Sequence, residues 1–316
     1  MEKYIGIDIG GTKCAVLKSD GNMNILKKVK FPTEGFEKTL DRIFKEVEEL
    51  LPAAAIGISC GGPLDERRGI IMSPPNLPGW DNVHITQMLT ERFGIPAFLC
   101  NDANACALAE WRYGAGRGCE NMVFMTFGTG LGAGLILNGR LYSGTNGNAG
   151  EIGHIRLSPD GPVGYGKRGS FEGFCSGGGI AQLAKKYAEK KIAEGNPPRF
   201  CPNEHSLPDI TTKLVAEFAE NGDADAIAVF DQSAEKLGEG LSVVIDILNP
   251  EVIVIGSVFA RSEKLFVEKM NEIIKREALD ASREVCSVRA ASLGESIGDV
   301  AAITVAIEGV LNAVKR

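Results

Sequence analysis

The sequence contains few histidines and no closely spaced cysteine pairs. Its three histidines are His84, His154 and His205, and none of its eight cysteines belongs to a C-x-x-C pair. No secretory leader is recognisable, since residues 4–9 already read as an apolar strand. Scattered cysteines without a leader are typical of reduced cytoplasmic proteins, so we expect a cytoplasmic location and no disulfide framework.

Basic segments and long apolar runs are also missing. The 316 residues include 34 lysines and arginines against 41 aspartates and glutamates, a formal net charge of −7. No basic block stands out, which argues against a nucleic-acid partner. No uninterrupted apolar run approaches the ~18 residues that cross a membrane, so we predict no membrane partner. The hydrophobic fraction of 44% is that of an ordinary folded protein.

Glycine, in contrast, is abundant, with 39 residues that concentrate in turns between apolar segments. Residues 4–31 are predicted to form three strands with a first turn at Gly10 and Gly11. Residues 122–142 repeat this pattern around a Gly-Thr-Gly turn, and 251–259 resembles an apolar strand of the first half. The chain therefore consists of two related halves.

Helical patterns separate these strands. Apolar residues at steps of three and four predict helices over 36–51, 227–248 and 297–314, and a further helix is expected just after Asp102. Strands that alternate with helices indicate an α/β protein.

The length allows two domains at about 150 residues each. We place them at residues 1–118 and 119–316, and we expect the C-terminal helix to pack back on the first. Small-molecule sites tend to lie in the cleft between two such domains.

A first candidate phosphate site is the turn in which Asp8 precedes Gly10, Gly11, Thr12 and Lys13. Glycines leave backbone N–H groups open to phosphate, and Asp8 would hold Mg²⁺ through water. A plain hairpin turn is the alternative, because Gly-Gly suits positive φ. The segment matches neither G-x-G-x-x-G nor G-x-x-x-x-G-K-[ST].

A second candidate is the turn that contains Gly128, Thr129, Gly130 and Gly132. Four glycines among residues 128–134 exceed what a turn between two strands requires, because glycine is disfavoured inside strands. Two such turns, one in each half, would hold a polyphosphate from both sides, which favours a nucleotide as ligand.

Two further groups carry polar side chains. Asn101 and Asp102 follow a predicted strand, where they would cap a helix; alternatively, Asp102 is a general base for an attacking hydroxyl group. His154 lies near Glu151, with Glu172 farther on, and these side chains suit the hydroxyls of a sugar. A histidine satisfied within the core is the alternative for His154.

In this order, the segments resemble the ROK family of sugar kinases and related regulators. The matching stretches are IGIDIGGTK (5–13), ISCGGPLD (58–65), PPNLPGW (74–80), NDANACALAEWRYGAGRG (101–118), MTFGTGLGAGLILNGRLYSGTNGNAGEIGH (125–154) and NPEVIVIGS (249–257). The resemblance implies a duplicated, ribonuclease H-like fold, the actin-like ATPase fold, with an active-site cleft between two α/β domains. It also implies ATP- and Mg²⁺-dependent phosphorylation of a hexose, usually at the 6-hydroxyl. Glucose is the first candidate sugar, and N-acetylmannosamine, N-acetylglucosamine and fructose are alternatives.

The resemblance carries roles for single residues. Asp102 corresponds to the catalytic base. The implied sugar contacts are Gly62, Asn76, Asn101, Asp102, Glu151, His154 and Glu172. The implied nucleotide contacts are Asp8, Gly10, Gly11, Thr12, Lys13, Gly128, Thr129, Gly130, Gly132 and, beside the adenosine, Gly256. Relatives are often dimers or tetramers, so we expect a homodimer or homotetramer.

One departure from the family concerns a structural zinc site. Val163, Tyr165 and Ser170 occupy the positions of three cysteine ligands, and only His154 remains. A structural zinc ion needs four ligands, so we predict none. Our hypothesis is that packing of Val163, Tyr165 and Phe171 holds the loop instead.

Two other points concern rival functions and a longer segment. Family repressors carry a DNA-binding helix-turn-helix before the kinase-like part, and we expect none before Tyr4. A sugar-binding regulator that has lost catalysis stays as the alternative. Residues 190–212 form a longer region than the family pattern needs, which fits a tolerated surface insertion, a cap over the cleft or a part of a subunit contact.

Overall fold

The computed structural model describes residues 2–314, so residues 1, 315 and 316 at the ends of the expected domains lie outside it. A five-stranded sheet lies in the first part of the chain. Its strands are β1 (Lys3–Ile9), β2 (Lys13–Asp20), β3 (Ile25–Pro32), β4 (Ala55–Cys60) and β7 (Ala97–Asn101). A small hairpin follows β4 and consists of β5 (Leu64–Asp65) and β6 (Ile70–Ile71).

A second five-stranded sheet follows. Its strands are β8 (Met122–Phe127), β9 (Leu131–Leu137), β10 (Arg140–Tyr142), β13 (Val252–Ile255) and β14 (Ser287–Ala290). Another small hairpin joins β11 (Val163–Gly164) to β12 (Lys167–Arg168). The strand orders are β3-β2-β1-β4-β7 and β10-β9-β8-β13-β14. In both sheets, an antiparallel meander of three strands is extended by two parallel strands, which confirms the two related halves.

Helices connect and cover these sheets. They are α1 (Phe36–Leu50), α2 (Ile85–Phe93), α3 (Asp102–Tyr113), α4 (Phe171–Phe174), α5 (Gly177–Ala193), α6 (Thr212–Glu220), α7 (Ala224–Leu248), α8 (Val258–Arg261), α9 (Val267–Glu277), α10 (Asp280–Val285) and α11 (Ile297–Val314). The predictions over 36–51, 227–248 and 297–314 are confirmed. In α1, for example, Leu40, Ile43, Val47 and Leu50 are buried at the spacing of one helical face.

The structure adds detail to two segments. The apolar segment over 251–259 forms β13 up to Ile255, Ser257 turns the chain with a φ of +56°, and α8 begins at Val258. The longer region over 190–212 contains a short 3₁₀ helix, Glu204–Asp209. Glycine and proline spacing alone does not show such a turn of helix.

Helix α11 packs against β1 and β4 of the first sheet and against α3. A Cβ atom added at Gly57 would lie 2.2 Å from the carbonyl oxygen of Ala302, so this approach requires glycine. Among the described residues, 294–314 is the one helical segment long and apolar enough to cross a membrane. Its residues 301–306 are buried inside the protein, as in a core helix.

The core consists of separate clusters. One lies on the first sheet beneath α1 and α2, and another lies on the second sheet beneath α5 and α7. A third joins α3 and α11 to β8 and β13. Helix α3 therefore begins at the edge of the first sheet and packs on the second, so its N-terminus lies where the two halves meet.

Candidate active site

Three parallel strands of the first sheet end at the same edge. In β1, β4 and β7, Asp8 lies opposite Ser59, and Cys60 lies opposite Asn101. Helix α3 starts directly after β7 with Asp102. Ligands of α/β proteins bind outside the carboxyl ends of such strands, so this edge is the expected position of a site.

Asn101 and Asp102 share the start of α3. The Asn101 side-chain oxygen accepts hydrogen bonds from the backbone N–H groups of Ala103 at 3.0 Å and Asn104 at 3.4 Å, which caps the helix. Its amide nitrogen lies on the side of Gly62, where an added Cβ atom would be 3.6 Å away. The sequence allowed either Asn101 or Asp102 to cap the helix, and in the structure Asn101 is the N-cap.

The Asp102 side chain is exposed at the start of α3. Its Oδ1 atom accepts a hydrogen bond from the Ala103 N–H at 2.8 Å. Its Oδ2 atom lies on the side of Gly61, 3.9 Å from the position of an added Cβ atom. Desolvation by the surrounding protein raises the pKa of Asp102, because it disfavours the charged form. The hydrogen bond from the Ala103 N–H opposes this shift. One carboxylate oxygen is thus held at the helix N-terminus, while the side chain as a whole is exposed.

Asp8 lies near Asp102. Burial, followed by the charges of Asp102 and Asp299, raises the pKa of Asp8 to about 6, and the lysines Lys28 and Lys13 offset part of this rise. Lys28 also forms an ion pair with Asp299. Two neighbouring carboxylates of this kind suit a divalent cation.

The donor set at this position fits Mg²⁺. This ion commonly binds one or two carboxylates, and waters and substrate phosphates complete its coordination. Among residues 2–314, no group of three or more histidine, cysteine, aspartate or glutamate side chains could enclose a metal ion by itself. A small pocket of about 210 Å³ is lined by Lys13, Lys28 and Lys30 together with Asp8, Glu295 and Asp299, so lysines that suit phosphate lie among carboxylates that suit a cation.

The first glycine turn contacts the segment around Asn76. The Gly10 N–H donates to the Lys13 carbonyl oxygen at 3.1 Å, which closes the turn. A Cβ atom added at Gly11 would lie 2.7 Å from both Cβ and the carbonyl oxygen of Asn76. Gly11, Thr12 and Lys13 are exposed, so the turn presents open backbone beside the Asp8 carboxylate.

The second glycine turn is connected to α5. The Gly128 N–H donates to the Gly130 carbonyl oxygen at 3.0 Å, while the Gly128 carbonyl oxygen accepts from the Gly177 N–H at 2.8 Å. Thr129 is exposed at the tip of this turn, and Gly132 lies in β9. Gly256, at the end of β13, is buried next to Ser257, whose hydroxyl lies 3.5 Å from an added Cβ atom at Gly128.

Glu151 lies near Asp102, Glu172 and His154, the groups that the resemblance implies as base and sugar contacts. Burial, followed by the charges of Asp102 and Glu172, raises the pKa of Glu151, and His154 opposes this shift. Glu172 is partly buried, whereas Glu151 and His154 are exposed. The structure thus brings His154 to an open site, not into the protein core.

A cavity of about 730 Å³ lies beside the second glycine turn, and the sequence did not predict it. Its lining includes Gly177, Ala181, Ile210, Thr212, Val258 and Arg261. Several of these residues lie in the first turns of α5, α6 and α8. The sequence does contain a signal for a site at this position, since Ser176 caps α5 and three consecutive glycines follow it. Part of the long region 190–212 therefore borders this cavity.

The hypothesis on the zinc-less loop is wrong for two of its three residues. Phe171 is fully buried, but Val163 is 40% exposed and Tyr165 is 76% exposed. Tyr165 instead meets the His154 ring edge to face, with ring centroids 6.4 Å apart. The positive φ of Tyr165, +44°, directs the chain into a tight turn at the surface.

Hydrogen bonds hold this loop. The buried Ser170 hydroxyl accepts from the Gly173 N–H at 3.1 Å and caps α4. The Gln182 side chain bonds both the N–H and the carbonyl oxygen of Val163, each at 2.9 Å. The Lys167 ammonium donates to the His154 carbonyl oxygen at 2.5 Å. These contacts connect the loop to α4, to α5 and to the backbone of His154.

Comparison with known proteins places this geometry in a family. A model of the ROK family matches residues 4–308. The chain is 32% identical to a glucokinase from Thermotoga maritima, and the match covers 96% of each chain. It is 29% identical to a xylose repressor from Caldicellulosiruptor bescii, with 88% of this chain and 71% of the repressor covered.

Solved structures agree on the fold. A ROK hexokinase from Thermus thermophilus matches with a TM-score of 0.81 at 32% identity and covers 98% of this chain and 99% of its own. A ROK glucokinase from Streptomyces griseus, in complex with glucose and AMPPNP, matches with a TM-score of 0.78 at 31% identity, covering 97% and 100%. The expected actin-like ATPase fold of two α/β domains is thereby confirmed.

Proposed function

The chain belongs to the ROK family, and on that premise we propose that it is an ATP-dependent sugar kinase. It transfers the γ-phosphoryl group of ATP to a hydroxyl group of a hexose. The observation that carries the proposal is Asp102, an exposed carboxylate at the start of α3 whose Oδ1 atom accepts from the Ala103 N–H and which lies near Asp8 and Glu151. Such a carboxylate takes the proton of an attacking hydroxyl as the phosphoryl group moves.

The sugar binds between the domains, which we divide at residues 118 and 119. Glu151, His154 and Glu172 offer acceptors and donors to its hydroxyls, and the Asn101 amide and Gly62 lie on the same side. Asn76 contributes from the segment that contacts the first glycine turn. We assign phosphorylation to the 6-hydroxyl and take glucose as the first substrate to test.

ATP binds along the two glycine turns. The cavity beside Gly177 is large enough for a nucleoside, and it opens next to the second turn. The phosphates lie near the small pocket that Asp8 lines together with Lys13, Lys28 and Lys30. Asp8, with Asp102 close by, would hold Mg²⁺, which neutralises phosphate charge when it is bound. Positioning and electrostatics supply most of the rate in such transfers.

A second function follows from the match to the xylose repressor. A regulator of this family would bind sugar at Glu151, His154 and Glu172 without transferring phosphate. The retained Asp8, Asp102 and both glycine turns favour the kinase, because a sugar sensor needs neither a base nor a phosphate site.

The test is ADP release with Mg·ATP over a panel of hexoses and N-acetylhexosamines. We expect turnover on at least one sugar and a kcat lower by roughly 10²–10⁴-fold in Asp102→Asn, with sugar binding by calorimetry unchanged. Asp41→Asn, on the exposed face of α1, serves as the matched control. Near-normal kcat in Asp102→Asn would rule out this base. Tight sugar binding without ADP release in the unaltered chain would favour the regulator.

A further inference from the structure

A glutamate outside every motif of the sequence contacts the start of α3. The Glu66 Oε1 atom accepts hydrogen bonds from the Asn101 backbone N–H at 2.7 Å and from the Asn104 side-chain amide at 3.1 Å. Glu66 lies between β5 and β6, 35 residues before Asn101 in the sequence. Its acceptor oxygen therefore holds the turn that carries Asp102.

The other oxygen of the same carboxylate reaches the second sheet. Glu66 Oε2 accepts a hydrogen bond from the Ser143 hydroxyl at 3.3 Å. Ser143 directly follows β10 and begins the segment that leads to Glu151. A single carboxylate thus connects the base-bearing end of α3 with the loop that provides a proposed sugar ligand.

Neutral donors surround this carboxylate. Among residues 2–314, Glu66 forms no ion pair, and its partners are a backbone N–H, an amide and a hydroxyl. The Cys100 thiol lies beside it. Burial, and then the charge of Glu66, raise the pKa of Cys100 far above its ordinary value. Hydrogen bonds to a charged acceptor are stronger than neutral ones and are directional, so they fix the groups that donate them.

We propose that Glu66 is a positioning residue for the phosphoryl-transfer step: it holds the first turn of α3 so that Asp102 faces the sugar hydroxyl. This inference rests on the proposed kinase function. Asn101 caps α3 from within the turn, while Glu66 binds the Asn101 N–H from outside it. Both constraints act on the residue that precedes Asp102, and a displacement of about 1 Å at a reacting group lowers the rate by about 10²-fold.

The test compares Glu66→Ala, Glu66→Gln and Arg67→Ala. Arg67 is the exposed neighbour on the same turn and provides the matched control. We expect Glu66→Ala to lower kcat by roughly 10–100-fold while the sugar KM changes less than about threefold. Glu66→Gln keeps an oxygen for the Asn101 N–H and should recover most of the kcat. Arg67→Ala should behave like the unaltered chain.

A second readout does not depend on activity. Amide hydrogen exchange at residues 101–104 should accelerate in Glu66→Ala, return towards normal in Glu66→Gln and stay unchanged in Arg67→Ala. An inactive unaltered chain would count against the kinase, whereas the exchange rates would still decide whether Glu66 holds this turn. Unchanged exchange in Glu66→Ala would overturn the proposal. In an active enzyme, a kcat equal to that of Arg67→Ala, or a lower kcat that Glu66→Gln does not recover, would also overturn it.

Discussion

The Oε2 atom of Glu172 accepts a hydrogen bond of 2.9 Å from the backbone N–H of Leu131. Leu131 begins β9 directly after the second glycine turn. A Cβ atom added at Gly130 would lie 2.7 Å from the same oxygen, so the turn packs against the carboxylate. A residue that we assign to the sugar thereby also holds the turn that we assign to the phosphates.

Substitution of Glu172 should therefore affect both substrates. We expect Glu172→Ala to raise the KM for sugar and the KM for ATP by roughly tenfold or more, because the Leu131 N–H loses a charged acceptor. Glu172→Gln keeps an oxygen for that N–H, so it should raise mainly the sugar KM. Steady-state kinetics with each substrate varied provides the measurement. Glu189→Ala, exposed on α5, is the control, and an unchanged ATP KM in Glu172→Ala would contradict the link.

Ionisation of Asp8 should lower the stability of the metal-free protein as the pH rises from 3.8 to about 6. Its folded pKa of about 6 exceeds the ordinary value of 3.8, so the folded chain binds more protons and its stability decreases as the pH rises between them. We expect Asp8→Asn to increase the free energy of unfolding by about 2–3 kcal/mol at pH 8 and by about half of that at pH 5.

Urea denaturation in the presence of a chelator measures this difference. Asp41→Asn on α1 is the control, since its side chain is exposed. An equal effect of Asp8→Asn at both pH values would show that the carboxylate charge is not the cause. Despite its greater stability, the variant should lose kinase activity, because it lacks the proposed Mg²⁺ ligand.

The loop around Ser170 should be independent of metal. We expect metal analysis of the purified protein to find far less than one zinc ion per chain, and a chelator to leave the Tm unchanged. Ser170→Ala should instead lower the free energy of unfolding by about 1–3 kcal/mol, because the buried Gly173 N–H loses its acceptor.

Ser158→Ala, in the same loop, is the control for this substitution. Thermal denaturation of the three proteins, each with and without chelator, makes the comparison. A Tm that falls on chelation, together with one bound zinc ion per chain, would show that a metal site exists despite the missing cysteines.

Blocking the large cavity should affect ATP and spare the sugar. Ala181 lines the cavity on α5, and Ala181→Trp should raise the ATP KM by roughly tenfold or more while sugar binding changes little. Ala193→Trp, exposed at the end of the same helix, is the matched control. Steady-state kinetics with ATP varied gives the KM, and calorimetry gives the affinity for the sugar. An unchanged ATP KM in Ala181→Trp would show that the nucleoside does not bind in this cavity.

The sequence predicted the elements of the fold well because their signals are local. Alternating and helical periodicities marked the strands and the long helices, and the repeated glycine turns revealed the duplication. The ambiguity between a cap and a base at Asn101 and Asp102 was also recognised. The structure shows that Asn101 caps α3, because its side chain turns back over the helix end and accepts from the Ala103 N–H, whereas the base role of Asp102 stays a prediction.

Contacts between side chains far apart in the sequence could not be predicted. Glu66 carries no motif, and its partners Asn101 and Ser143 follow 35 and 77 residues later. Our hypothesis packs Tyr165 inward with its neighbours. The loop is instead held by the N–H groups of Gly173 and Val163, which donate to Ser170 and Gln182, and the Tyr165 ring lies outside.

The sequence by itself determined the α/β class, the two related halves, the glycine turns and the candidate roles of Asp8 and Asp102. These follow from residue type, periodicity and order along one chain. The tertiary structure decided that Asn101 caps α3, which residues border the large cavity, and that Glu66 contacts the start of α3. Such properties depend on distances of about 3 Å between segments far apart in sequence, and only the packing of the two sheets and their helices sets those distances.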